Sequence, residues 1–141
     1  MKILALDLGD KWVGSAISDE LGITCRPYET IEKKDLDSFL SKILLQENIK
    51  KVIVGHPKTL AGRESTQTQK ITNEKNKLEK KFNMVNGTSI DWILWDERLS
   101  SKRAEGSLGK KYKDQKGKRE SHSIAAAFIL QTYLDFAAIN S

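Results

Sequence analysis

Apolar and polar positions alternate between two kinds of pattern along the chain. Ile3, Leu4, Ala5 and Leu6 form a nearly unbroken apolar run that Asp7 closes, the pattern of a strand covered on both faces. Residues 7–11 (Asp-Leu-Gly-Asp-Lys) read as a turn, and Trp12 to Ser18 as a second strand close enough for a hairpin. Asp19 to Gly22 is another turn. Ile23 to Ile31 is a third, less regular strand, and Pro27 puts it at a sheet edge. The period then changes. Leu36, Phe39, Leu40, Ile43 and Leu44 fall at helical spacing within 35–48, with Asp35 and Asp37 at the end where the helix dipole favours acids. Lys51 to Gly55 is a short buried strand running into Gly55-His56-Pro57. A helix between two buried strands implies a parallel crossover, so this strand pairs beside the first.

Pro57 to Ser65 is a polar loop containing Gly62, at the same end of the sheet as Asp7. It leads into a polar helix ending at Phe82, capped by Ser65 or Thr66 and buried only along Ile71, Leu78 and Phe82. Asn86-Gly87 marks a turn and Ile90 to Trp95 a fifth strand, again reached by a helical crossover. A short helix is expected around Ser101 to Gly106. The last element, from about Ser121 to about Ala138, is apolar nearly all round at its start, and its alanines permit close packing on a sheet. The prediction is therefore α/β: a five-stranded mixed sheet, three antiparallel strands followed by two parallel ones through helical crossovers, flanked by helices on both faces.

The length of 141 residues suits one domain, 1–141, with a core that needs no staples. Cys25 is the one cysteine, has no partner for a bridge and is expected to be a small buried residue. Only four apolar residues separate Lys2 from Asp7, too few for a secretory leader. No run is expected to approach a membrane span, so a soluble cytoplasmic protein with no membrane partner is predicted.

The net charge of +5 is unevenly placed. Arg98 to Glu120 holds nine basic residues (Arg98, Lys102, Arg103, Lys110, Lys111, Lys113, Lys116, Lys118 and Arg119) against three acids, a surplus of +6 that leaves −1 for the rest. With glycines and almost no apolar anchors, 106–120 is expected to be mobile until a ligand arrives. Beside a metal site this is the electrostatic footprint for a polyphosphate or nucleic acid; by itself it reads rather as a solubilising loop.

Asp7 carries the first candidate chemistry. A carboxylate ending a buried strand needs a cation or hydrogen-bond donors. Gly9 and Gly14, with Gly55 on the fourth strand, are read as tight backbone turns that let a ligand approach, which makes the segment a site for a metal or a phosphate. The alternative is an Asx-type turn in which Asp7 accepts from the amides that follow. The fifth strand delivers Asp96-Glu97. Alternation sends the two to opposite faces, so one of them points at the site and the other caps or packs elsewhere; Glu97 is the choice. His122, at the start of the last helix, faces the strand ends or else only caps the helix.

Residues 5–9 (Ala-Leu-Asp-Leu-Gly), Gly55-His56-Pro57 with Gly62, Asp96 to Ser101, and His122 to Gln131 resemble, in order, the four blocks of the bacterial YqgF (RuvX) family. The resemblance spans almost the whole chain. It implies a ribonuclease H-like fold related to the RuvC Holliday junction resolvases and a nuclease that trims the 5′ end of pre-16S rRNA, with junction resolution on branched DNA as the older proposal. Two positions depart from the family: Trp12 stands where a basic residue is usual, and His122 where the last acidic residue is usual.

The resulting expectation is a nuclease in which Asp7 and Glu97, with Asp96 as the alternative ligand, hold Mg²⁺ (or Mn²⁺) at the scissile phosphodiester. His122 is then a third ligand or a general acid/base, and the basic residues grip backbone phosphates. The oligomeric state is open between monomer and homodimer. Two other readings compete: an ATP-handling protein, because Asp-Leu-Gly also opens the phosphate hairpin of actin-like ATPases, and a non-catalytic RNA-binding module with a degraded site.

Overall fold

The computed structural model describes residues 1–56, 66–96 and 118–140. Five strands form one sheet: β1 (Lys2–Leu8), β2 (Trp12–Ser18), β3 (Cys25–Glu32), β4 (Ile49–His56) and, further along, β7 (Asp91–Asp96). Their order is β3-β2-β1-β4-β7. The first three run antiparallel, while β1–β4 and β4–β7 pair in parallel. The two crossovers contain α1 (Leu36–Gln46) and α2 (Thr66–Lys81), and α3 (Lys118–Ile139) follows β7. This is the mixed sheet expected from the apolar runs.

Strand alternation sorts the core into two layers. Leu4, Leu6, Val13, Val52, Val54 and Trp92 pack with Leu40, Leu44 and Ile71 on the α1/α2 face. Ile3, Ala5, Ala16, Ile53 and Trp95 pack with Ala126, Ala127, Ile129 and Leu130 of α3. The two β7 tryptophans show the same alternation and both satisfy their indole N–H: Trp92 donates to the Phe82 carbonyl at 3.1 Å, Trp95 to Thr132 Oγ1 at 2.9 Å.

Several local expectations change. Gly14 and Gly55 lie inside β2 and β4, so neither is a turn; each is paired in the sheet, with Asp7 and Trp95 respectively. Lys33–Asp35 forms a 3₁₀ turn, and α1 begins only at Leu36, without a side-chain cap. Asn86 and Gly87 both take positive φ, 52° and 78°, the conformation of a two-residue type I′ turn. That turn joins a small hairpin, β5 (Met84–Val85) and β6 (Thr88–Ser89), too short to leave a pattern. Cys25 is half-buried rather than enclosed, because β3 is an edge strand; its Sγ lies 3.3 Å from the Ala127 carbonyl.

The last helix starts at Lys118, three residues early, since charged residues do not interrupt a first helical turn. Its stretch Ser121–Ile139 is, contrary to expectation, long and apolar enough to cross a membrane by length and composition. Here that apolar surface is used against the sheet: Ala126, Ala127, Ile129 and Leu130 are buried on β1, β2 and β4. The expected loop 57–65, the short helix near 101–106 and the mobile stretch 106–117 lie outside the described residues.

Candidate active site

The parallel arrangement of β1, β4 and β7 brings three chain segments to one rim of the sheet, the carboxyl ends of these strands. Asp7 is the penultimate residue of β1, and Asp96 ends β7 in register with His56 of β4. With one strand between them, Asp7 and Asp96 stand about two strand spacings apart, roughly 10 Å at the backbone. They point to opposite faces: Asp7 has the parity of Ile3 and Ala5, on the α3 side, whereas Asp96 has that of Trp92 and Leu94, on the α1/α2 side.

On the α3 side, Asp7 meets His122. Nδ1 of His122 lies 3.5 Å from Asp7 Oδ2, and each side chain is 30% exposed. Gly14 makes this approach feasible. It faces Asp7 across the β1–β2 ladder, and a Cβ placed on it would fall 1.9 Å from the His122 carbonyl oxygen. The absence of a side chain thus lets the α3 backbone rest directly on β2, with the His122 ring beside the carboxylate. The glycine read in sequence as room for a ligand is room for a helix. Gly9 does sit in the β1–β2 turn, where a Cβ would come within 2.6 Å of the Trp12 carbonyl oxygen and 3.5 Å of His122 Cε1.

Burial holds the Asp7 carboxyl above the ordinary aspartate value, and the neighbouring His122 opposes that rise without cancelling it. Asp7 is therefore a carboxylate kept at a desolvation cost, the state that a bound cation would relieve. In donor chemistry the pair fits a divalent ion: one hard oxygen ligand and one imidazole. Among the described residues no third His, Cys, Asp or Glu joins them. Glu97, Arg98, Lys102, Arg103, Lys110, Lys111, Lys113 and Lys116 lie outside the described residues; Lys118 and Arg119 form the first turn of α3.

One side chain at this rim has no role of its own in the sequence reading. His56 is buried, and its Nε2 lies 3.1 Å from Thr72 Oγ1 of α2. The Thr72 hydroxyl donates to the Thr68 carbonyl at 2.9 Å, so its one hydrogen is committed and His56 Nε2–H is the donor to Thr72. The bond pins α2 to the end of β4. In sequence His56 belongs to a turn and to one block of the family resemblance, and nothing local points to Thr72.

A family model described as "RuvX: Holliday junction resolvase" matches residues 1–136. The chain belongs to the RuvX family. RuvX relatives named "Putative pre-16S rRNA nuclease" include one from Caldicellulosiruptor bescii, 37% identical over 96% of this chain and 97% of that protein. Another, from Clostridioides difficile, is 38% identical over 99% of this chain and 97% of that protein. Among solved structures, Thermus thermophilus RuvC in complex with a Holliday junction substrate is similar at TM-score 0.65 and 12% identity, over 100% of this chain and 97% of that one. The RuvX chain accordingly has the ribonuclease H-like fold of RuvC.

Proposed function

We propose that this RuvX chain is a divalent-metal-dependent nuclease acting in the cytoplasm on the 5′ end of pre-16S rRNA, the substrate that its relatives' name gives. The observation carrying this reading is the desolvated Asp7 carboxylate at the rim, with His122 brought to it by Gly14. Asp7 and His122 hold the ion, Glu97 adds the second carboxylate, and Asp96, on the other face, stays out of the set. Bound Mg²⁺, or Mn²⁺ in its place, would polarise the scissile phosphate and lower the pKa of an attacking water. In the hydrolysis the water oxygen forms a bond to phosphorus, the bond from phosphorus to the leaving oxygen breaks, and the water's proton ends on solvent or on the leaving oxygen. Arg98, Arg103 and the basic residues 110–119 fix the backbone without reading bases.

A second reading is Holliday junction resolution, favoured by the family's own description and by the RuvC fold. It requires two such sites in a symmetric dimer, whereas end-trimming works as a monomer. One experiment separates the readings. Purified chain with Mg²⁺ is offered single-stranded RNA, duplex RNA carrying a 5′ extension, and four-way DNA junctions, beside an Asp7→Asn control. Asp7-dependent cleavage of the RNA extension supports the proposal. Symmetric junction cleavage favours resolution, and binding with no cleavage identifies a non-catalytic module.

A further inference from the structure

A lysine-lined surface, separate in sequence from the basic segment 98–119, starts at the Asp7 rim. Two adjoining cavities share Lys33, Lys70 and Glu74: one is lined by Leu8, Gly9, Asp10 and Ile71 as well, the other continues to Asn73 and Lys77. The groove opens at the turn that directly follows Asp7 and runs along α2. Lys70, Glu74 and Lys77 fall at i, i+4 and i+7, one stripe of the helix, and the buried Ile71 and Leu78 beside it seat that stripe on the sheet. The opposite wall is set by the backbone: Lys33 N–H donates to the Lys11 carbonyl at 2.8 Å, tying the turn before α1 to the β1–β2 turn.

The two ion pairs in the groove differ, and the outer one is of the exchangeable kind. Lys70 meets Asp10 at 3.1 Å, with side chains 67% and 86% exposed. Lys33 meets Glu74 at 2.6 Å with side chains 34% and 22% exposed, a pair held more firmly. The exposed Lys70–Asp10 pair contributes about 0–1 kcal/mol, so a phosphate, which is multiply acceptor-bearing and brings its own counterion release, displaces Asp10 readily. Lys77 is exposed at the far end.

We infer that the Lys33–Lys70–Lys77 groove is a phosphate track that carries the nucleic-acid backbone away from the Asp7 rim along α2, on the side of the sheet opposite α3. Lys70 to Lys77 spans seven residues, about 10 Å of helix, room for about two or three consecutive backbone phosphates. The substrate thus extends at least that far past the β1–β2 turn, and the chain grips it on two faces of the sheet. The contacts are to phosphate, so the track supplies affinity and register without sequence preference.

The test uses full-length protein in an Asp7→Asn background, which stops cleavage, and fluorescence anisotropy with labelled RNA lengthened three nucleotides at a time. In the Asp7→Asn parent, affinity and its salt dependence increase at the step that fills the groove. In Lys33→Gln/Lys70→Gln/Lys77→Gln that increment disappears, and the slope of log K against log salt falls by about two for single strands, at about 0.7 per phosphate contact. Asp10→Asn, which frees Lys70, tightens binding of the long RNA several-fold, a gain that damage to the fold does not produce. Equal weakening at every length, an unchanged slope, or no gain in Asp10→Asn overturns the track. The inference rests on the nuclease reading, whose own failure shows separately as absence of Asp7-dependent cleavage by the unmodified chain.

Discussion

Two aspartates follow or end neighbouring strands of this sheet, and their environments are opposite. Asp19 follows β2 at one rim and is surrounded by donors: Oδ1 accepts from the Ile23 amide at 2.8 Å and from the Thr24 amide at 3.2 Å, which holds its carboxyl below the ordinary value. Asp7, at the other rim, is held above it by burial. The Asx-type turn that the sequence allowed for Asp7 is realised at Asp19 instead. Hydrogen-bonded by the backbone, the Asp19 carboxylate contributes to the turn. Asp7 instead carries a desolvation cost, the local conflict between stability and role that the proposed metal site would explain.

The sharpest way to break this contrast is Asp7→Asn. Cleavage is expected to fall by on the order of 10²-fold or more, while RNA binding persists. In metal-free buffer the same variant is expected to melt higher than the parent at neutral pH. The folded-state value of Asp7 is raised, so the native state favours the protonated form and loses stability as pH rises from the unfolded value through the folded one; asparagine avoids that loss. The gain in Tm should shrink to nothing in acid, below the unfolded value, and a Tm that falls at neutral pH would place Asp7 with Asp19.

Next comes Gly14→Ala. Its methyl would collide with the His122 carbonyl, so α3 must move off β2. A loss of about 1–3 kcal/mol is expected, read as a Tm lower by roughly 3–10 °C, together with loss of cleavage as His122 leaves Asp7. His122→Ala is expected to raise the Mg²⁺ concentration needed for half-maximal cleavage by about tenfold or more. His122→Asp should retain cleavage and need less Mg²⁺ than the alanine variant, because oxygen suits this ion. Indifference to both changes would remove His122 from the site. Smallest is Asp19→Ala: no change in cleavage and a slightly lower Tm near neutral pH. That deficit is present above the unfolded value and vanishes as pH falls through the lowered folded one.

The sheet was legible because its apolar runs are unambiguous: residues 3–6 and 52–54 read as strands covered on both faces, and the helical spacing between them implies the parallel crossover. Alternation gives Asp96 the parity of the α1/α2 face, opposite to Asp7. The misreadings have physical causes. A glycine in a strand signals close approach of something, and at Gly14 nothing local distinguishes a ligand from the α3 backbone, more than a hundred residues away in the chain. Four residues of hairpin at 84–89 carry no period. The Lys33–Lys70–Lys77 groove joins segments from before α1 and within α2, each an ordinary solvated stretch until the fold sets them side by side.

The pairing of Asp7 with His122 joins the first strand of the chain to its final helix across 115 positions. A nascent polypeptide emerging from the ribosomal exit tunnel has therefore shown its carboxylate long before the histidine is synthesised, and contacts so distant in sequence form late in folding. The two groups can therefore meet only once the last helix has been made and has packed on the sheet.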